Sequence, residues 1–267
     1  MPRFMHNGIA LAYEDRGSGK PAIIFIHGWT CDRSFFAPQA EYFERRHRVV
    51  SVDLRGHGDS DNPQGKHSVE LYAEDVAHLI SHLGLAKVVA VGHSLGALVA
   101  LQLAAAHADD IAGVVMVESA PFAPPAELRA LFEQVASNIE AGDDSLRQQL
   151  IAGLFLPSSN RELVERVLHV MMSAPRDVAA GGVRAILDFN APSAAARCTV
   201  PSLHISAARP LNPVNLMTEW LPGLVQGQTV GAGHFNQLEA PEQVNGMLEG
   251  FLRHYVGETE GALSEKA

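Results

Sequence analysis

The sequence predicts an α/β fold: a doubly wound, mostly parallel sheet with a helical cap inserted into it. Three observations predict it. Six short runs rich in Val and Ile show little polar alternation, as strands buried on both faces do. Helical patterns lie between the runs, and strand–helix alternation is the signature of a wound parallel sheet. One long stretch, 121–192, has helical patterns alone.

Taken in order, the chain opens with apolar-rich flanks around Asn7-Gly8, a dipeptide that accepts positive φ at both turn positions, so a hairpin is expected. Strands are predicted at 22–27 (AIIFIH) and 48–53 (RVVSVD). The segment 68–84 reads as an amphipathic helix, with Leu71, Val76, Leu79, Ile80 and Leu83 at three- and four-residue steps and Gly84 as a stop. A strand at 87–93 leads through Ser94 into the helix SLGALVALQLAAAHA, and a strand at 111–118 (IAGVVMVE) follows. Between Pro121 and about Pro192, three or four helical pieces are separated by Pro, Gly and Asp breakers. Strands at 200–206 and 228–234 and a helix over 240–256 close the fold. The expected organisation is a core of 1–120 and 193–257, a cap of 121–192 over the carboxyl end of the sheet, where ligands bind in such folds, and a flexible tail of 258–267.

Of 267 residues, 47% are hydrophobic and 19% charged, ample for one buried core. A net charge of −10 argues against nucleic acid or an anionic membrane as partner. The two cysteines, Cys31 and Cys198, form no disulfide framework and suit a reducing compartment. The first residues lack a basic region followed by a long apolar run, so no signal peptide is expected. A cytoplasmic protein, monomeric or homo-oligomeric, acting on a small molecule is the expectation. No H-x-H-x-D cluster is present, and neither a metal nor another cofactor is expected.

Gly92-His93-Ser94-Leu95-Gly96 matches G-x-S-x-G with a strand before it and a helix after it, the context that turns a serine hydroxyl out at the top of a sheet. The glycines leave room for the sharp turn, and the helix start favours the negative charge that develops in acyl transfer. A serine hydroxyl needs a base at neutral pH. His234 is the candidate, placed after the last predicted strand on a loop made pliable by Gly231, Ala232 and Gly233.

Four segments together resemble the α/β-hydrolase superfamily over nearly the whole chain: His27-Gly28-Trp29, DLRGHGDSD (53–61), GHSLGA (92–97) and GAGHFNQLEAPEQV (231–244). The resemblance implies a serine hydrolase, with the order serine first and histidine last. It also implies an oxyanion hole built from the backbone N–H groups of Trp29 and Leu95. His27, His57, His93 and Glu239 take structural roles in that reading.

The third partner departs from the commonest family arrangement, an Asp in the loop after the next-to-last strand. Here that stretch reads HISAARPLNPVNL, with no Asp or Glu between Leu203 and Thr218. Asn212 accepts a hydrogen bond but carries no charge. Glu118 ends an apolar strand, the position of the acid in some relatives, and is the candidate; Glu219 is the alternative. The predicted triad is therefore Ser94, Glu118 and His234. Phe122, Leu154, Phe155, Met171, Met172 and Phe189 are candidate walls for a neutral, fairly hydrophobic ester, lactone or thioester. Two other functions fit the same fold. One is a cofactor-independent dioxygenase of the quinaldine type, using a His234/Glu118 dyad; the other is a non-catalytic small-ligand receptor.

Overall fold

The computed structural model describes residues 1–63, 65 and 67–257, without the side chain of Val214; the predicted tail, 258–267, lies outside the described residues. The chain opens with β1 (Arg3–His6) and β2 (Ile9–Arg16), paired antiparallel. Asn7 and Gly8 both have positive φ, 48° and 77°, as the predicted turn requires. Then follow β3 (Ile23–Ile26), a 3-10 turn at Arg33–Phe36, α1 (Ala37–Phe43), β4 (Val49–Val52), α2 (Val69–His82), β5 (Val88–His93), α3 (Leu95–Ala106) and β6 (Ile111–Val117). Five helices come next: α4 (Ala126–Glu140), α5 (Ser145–Gly153), α6 (Arg161–Ser173), α7 (Arg176–Asp188) and α8 (Ala191–Arg197). The chain ends through β7 (Ser202–Ser206), α9 (Val214–Trp220), β8 (Val225–Gln228), α10 (Asn236–Glu239) and α11 (Pro241–Phe251), extended by a π-helical turn at Leu252–Val256.

The eight strands form one sheet in the order β1-β2-β4-β3-β5-β6-β7-β8, parallel from β4 to β8 and antiparallel at the N-terminal edge. Its central strands are buried on both faces. Ile24 and Ile26 pack with Tyr72, Val76 and Leu79 of α2 and with α3, whereas Ile23 and Phe25 pack with Phe43 of α1 and Val244 and Leu248 of α11. That two-sided burial is why the strands read as unbroken apolar runs.

Three sequence expectations need correction. Leu71 is exposed, because Ser68 caps α2 and sets a phase in which Val69, Tyr72, Ala73, Val76, Leu79 and Ile80 face the sheet. The last strand is not 228–234: β8 is Val225–Gln228, and the residues after it form the loop that carries His234. The expected cap boundary at 192/193 falls inside α8, which packs on α3. Among the described residues no helix is long and apolar enough to cross a membrane.

Candidate functional site

Ser94 sits between β5 and α3 with φ 53° and ψ −116°, a conformation sparsely populated for a residue with a Cβ. The neighbouring sequence explains how the turn is reached. A Cβ at Gly92 would fall on the carbonyl of Gly96, and one at Gly96 would fall on the carbonyls of Ile26 and His27. Only residues without side chains let α3 start this close to β3. The Ser94 amide donates to Val117 O at 3.1 Å, which fixes the serine against the end of β6.

The predicted oxyanion donors belong to two segments that adjoin that serine. Leu95 is the first residue of α3, so its N–H belongs to the helix start, where the backbone dipole favours negative charge. The loop bearing Trp29 abuts Ser94: a Cβ built on Gly28 would lie 3.2 Å from Ser94 Cβ. His27 holds this loop. Its Nδ1–H donates to Gly28 O at 2.8 Å, orienting the peptide whose N–H is that of Trp29, and its Nε2 accepts from Leu54 N at 3.0 Å. Burial lowers the His27 pKa, consistent with a neutral ring that donates on one side and accepts on the other. The Trp29 indole donates to Ala179 O of α7 at 2.8 Å, tying the loop to the inserted helices.

His234 follows β8 on the loop 229–235. Its amide donates to Leu154 O at 2.9 Å, and its carbonyl accepts from His93 Nε2 at 2.9 Å. The residue before the serine thus holds the backbone of the predicted base, with the two rings 4.8 Å apart. Glu239 braces the same loop. Its carboxylate accepts from Gly233 N at 3.0 Å and from Ser159 Oγ at 2.5 Å, while Ser159 Oγ accepts from Leu156 N at 3.0 Å.

Glu118 closes β6 with φ 39°, buried beside the imidazole. Its Oε1 lies 3.9 Å from His234 Nδ1, an ion-pair distance longer than a hydrogen bond. That Nδ1 is buried and has no hydrogen-bond partner among the described residues. The carboxylate also accepts from the amides of Ala207 (2.5 Å) and Leu211 (2.8 Å). Burial pushes its pKa up, but His234 and the two amides outweigh burial and hold the carboxyl below its usual range. Glu219, the alternative acid, is exposed on α9. The structure therefore brings Ser94, His234 and Glu118 to one end of the sheet, at the ends of β5 and β6 and in the loop after β8.

Of the predicted wall residues, Phe155 stacks on Phe235, next to His234, with centroids 4.9 Å apart. Phe122 lies four residues past Glu118 and stacks on Trp220. Phe122, Met171 and Phe189 are packed in the main core, and Leu154, Phe155 and Met172 lie against it. A cleft of about 630 Å³ lies beside the histidine loop, lined by Ser158, Ser159, Asn160, Arg166, Gly231 and Glu239 among others, and by none of the predicted wall residues. Sequence reasoning also missed Arg147 of α5, fully buried, whose guanidinium lies 6.0 Å from the Trp29 ring centroid and donates to the carbonyls of Met171 and Ala174. An arginine on an amphipathic helix reads as surface, and no pattern in the sequence marks it as buried.

The model of the alpha/beta hydrolase fold matches residues 21–169. A 2-(acetamidomethylene)succinate hydrolase of Mesorhizobium japonicum is 35% identical over 136 residues, which cover 51% of this chain and 49% of that protein, about half its length. The 3-oxoadipate enol-lactonase 2 of Acinetobacter baylyi is 24% identical over 256 residues, covering 92% and 94% of the two chains. Among solved structures, a thermophilic esterase from Thermogutta terrifontis superposes with a TM-score of 0.85 at 25% identity, covering 95% of this chain and 98% of that one.

Proposed function

The chain belongs to the alpha/beta hydrolase fold family, and from that premise we propose that it is a cofactor-free serine hydrolase cleaving a small, fairly hydrophobic ester, lactone or thioester. One observation carries the reading. The Nδ1 of His234, without a hydrogen-bond partner among the described residues, faces the Glu118 carboxylate at 3.9 Å, while its ring packs 4.8 Å from that of His93, the residue before the serine held in the strained turn. Closing that gap by about 1 Å forms the hydrogen bond that fixes the imidazole tautomer, and catalytic hydrogen bonds commonly tighten only with substrate bound.

In the proposed reaction His234 Nε2 takes the proton of Ser94 as Oγ attacks the carbonyl carbon. The carbonyl π bond breaks, and the oxyanion is received by the N–H groups of Trp29 and Leu95. The oxyanion then collapses, the bond to the leaving oxygen or sulfur breaks, and the imidazolium protonates the leaving group. Water repeats the sequence on the acyl-serine to release the acid. The relatives named for ester, enol-lactone and related hydrolyses support this reaction class.

The test is hydrolysis of a short p-nitrophenyl ester. Wild type is expected to turn over. Ser94→Ala is expected to lose on the order of 10⁶ in kcat, and Glu118→Gln on the order of 10⁴. Wild-type rates in Ser94→Ala would overturn the acyl-enzyme; an oxygenase running on the His234/Glu118 dyad would survive that substitution.

A further inference from the structure

The loop after β7, Ala207 to Asn212, occupies the place where most of the family keeps its acid, yet it is tightly engaged with the strand end that carries Glu118. The engagement is reciprocal. From β6, the Glu118 carboxylate accepts from the amides of Ala207 and Leu211. From the loop, the Asn212 side chain reaches back: Oδ1 accepts from Phe122 N at 2.9 Å, and Nδ2 donates to Ser119 O at 2.9 Å and to Ala120 O at 3.1 Å. Asn212, Ser119, Ala120 and Phe122 are all buried. Three consecutive residues after β6, Glu118 to Ala120, are thus held by one short loop.

We propose that this loop is the holder of the relocated acid and that Asn212 is its positioning residue, setting where Glu118 stands relative to His234. The proposal rests on the reading that Glu118 serves His234. Three points carry it. First, Glu118 has φ 39°, a conformation a glutamate keeps only when its surroundings impose it. The side chain that holds the carbonyls of the next two residues is Asn212. Second, the chemistry of the amide is required. Two carbonyls and one N–H face the side chain, so it must both donate and accept. An ionised aspartate here would present acceptors to two carbonyls, so Asn212 is no decayed acid; an acid could not do its work. Third, the loop is registered to the base. Ala208 N donates to Ala232 O at 3.0 Å, two residues before His234, and Gln228 Nε2 donates to Ala207 O at 3.1 Å. The chain of contacts runs from Asn212 to Ser119, the residue after Glu118, from the Glu118 carboxylate to the 207–211 backbone, and on to the histidine loop.

Amide hydrogen exchange on the full chain, with ester hydrolysis beside it, tests the proposal. In Asn212→Ala the amides of Ala207 and Leu211, which Asn212 does not touch, are expected to exchange at least about 10-fold faster, while those of β3 keep wild-type protection. The kcat is expected to fall by about 10- to 100-fold, with KM within about twofold, the scale of a misplaced catalytic group. In a Glu118→Gln background, Asn212→Ala is expected to cost less than about twofold more, because it acts through Glu118. Unchanged exchange at Ala207 and Leu211, with only Phe122 deprotected, would overturn the proposal, and so would additive losses in the cycle. Should Asn212→Ala fail to fold, Asn212→Ser, which keeps one small polar group and adds no charge, is read in the same way. Exchange needs no turnover. An inactive wild type would therefore sink the hydrolase reading, while the amides still decide the clasp.

Discussion

At the scale of single residues, the site is a problem of space before it is one of chemistry. Gly96 is helical, and an alanine in a helix is ordinarily worth about 1 kcal/mol over glycine. Here the added Cβ would meet the carbonyls of Ile26 and His27, backbone atoms that cannot turn aside. Gly96→Ala is therefore expected to destabilise, by about 1–3 kcal/mol as in other overpacked sites, and to displace the Ser94 turn. Gly246 in α11 is the control: nothing lies within 4 Å of its Cβ position. Gly246→Ala is expected to stabilise by about 0.5–1 kcal/mol. Thermal unfolding of the two variants gives shifts of opposite sign; two shifts of the same sign would contradict the steric account of the turn.

At the scale of elements, the inserted helices and the histidine loop are one mechanical unit. The segment between α5 and α6 gives Leu154 O to the His234 amide and Ser159 to Glu239, whose carboxylate also holds the Gly233 amide. Glu239→Ala leaves a partly buried N–H and a hydroxyl without their acceptor, a cost of about 1–3 kcal/mol. It is expected to lower the melting temperature and to lower kcat, since His234 sits one residue from the freed amide. A variant with wild-type melting and wild-type kcat would show that the brace carries no load. This pairing spans 80 residues and left no trace in the sequence. What was legible follows from burial. Strands covered on both faces, such as Val88–His93, show as apolar runs, and the glycine-flanked Ser94 shows as a turn. β8 was misplaced because it is an edge strand of alternating exposure whose sequence, VQGQ, is weaker than the loop after it. Glu118 was legible as a charge ending an apolar strand. Its holders were not, because Ala207 and Leu211 bind it through backbone N–H groups that any residue supplies.

At the scale of the whole molecule, the histidines make folding sensitive to acid. His57 and His204 are buried, and each has a ring nitrogen without a partner among the described residues. Burial lowers the His57 pKa to about 3, helped by the neighbouring His27, and burial lowers that of His204 to about 4, against the pull of Glu118. Burial also lowers His27 and His93. A ring with a depressed folded pKa stays neutral in the native state while the unfolded chain takes up a proton near its ordinary value of 6.5. Between 6.5 and the folded pKa the unfolded state binds more protons, so stability falls as pH falls, by up to about 1.4 kcal/mol per pH unit for each such ring. Glu118 adds to the loss lower down: with its folded pKa below its ordinary value of 4.5, its contribution is full above that value and lost as pH drops through the folded one. The expected result is a melting temperature that declines steadily from pH 6.5 to 4, with the decline beginning well above the range where carboxylates titrate. His204→Phe removes one titrating ring from the sheet, whatever it costs in packing. Its stability should fall less steeply over the same window, by about one proton's worth of slope, or about 1.4 kcal/mol per pH unit. Parallel curves for the variant and wild type would mean that His204 takes up its proton in the folded state, and that the acid sensitivity arises at His27, His57 or His93.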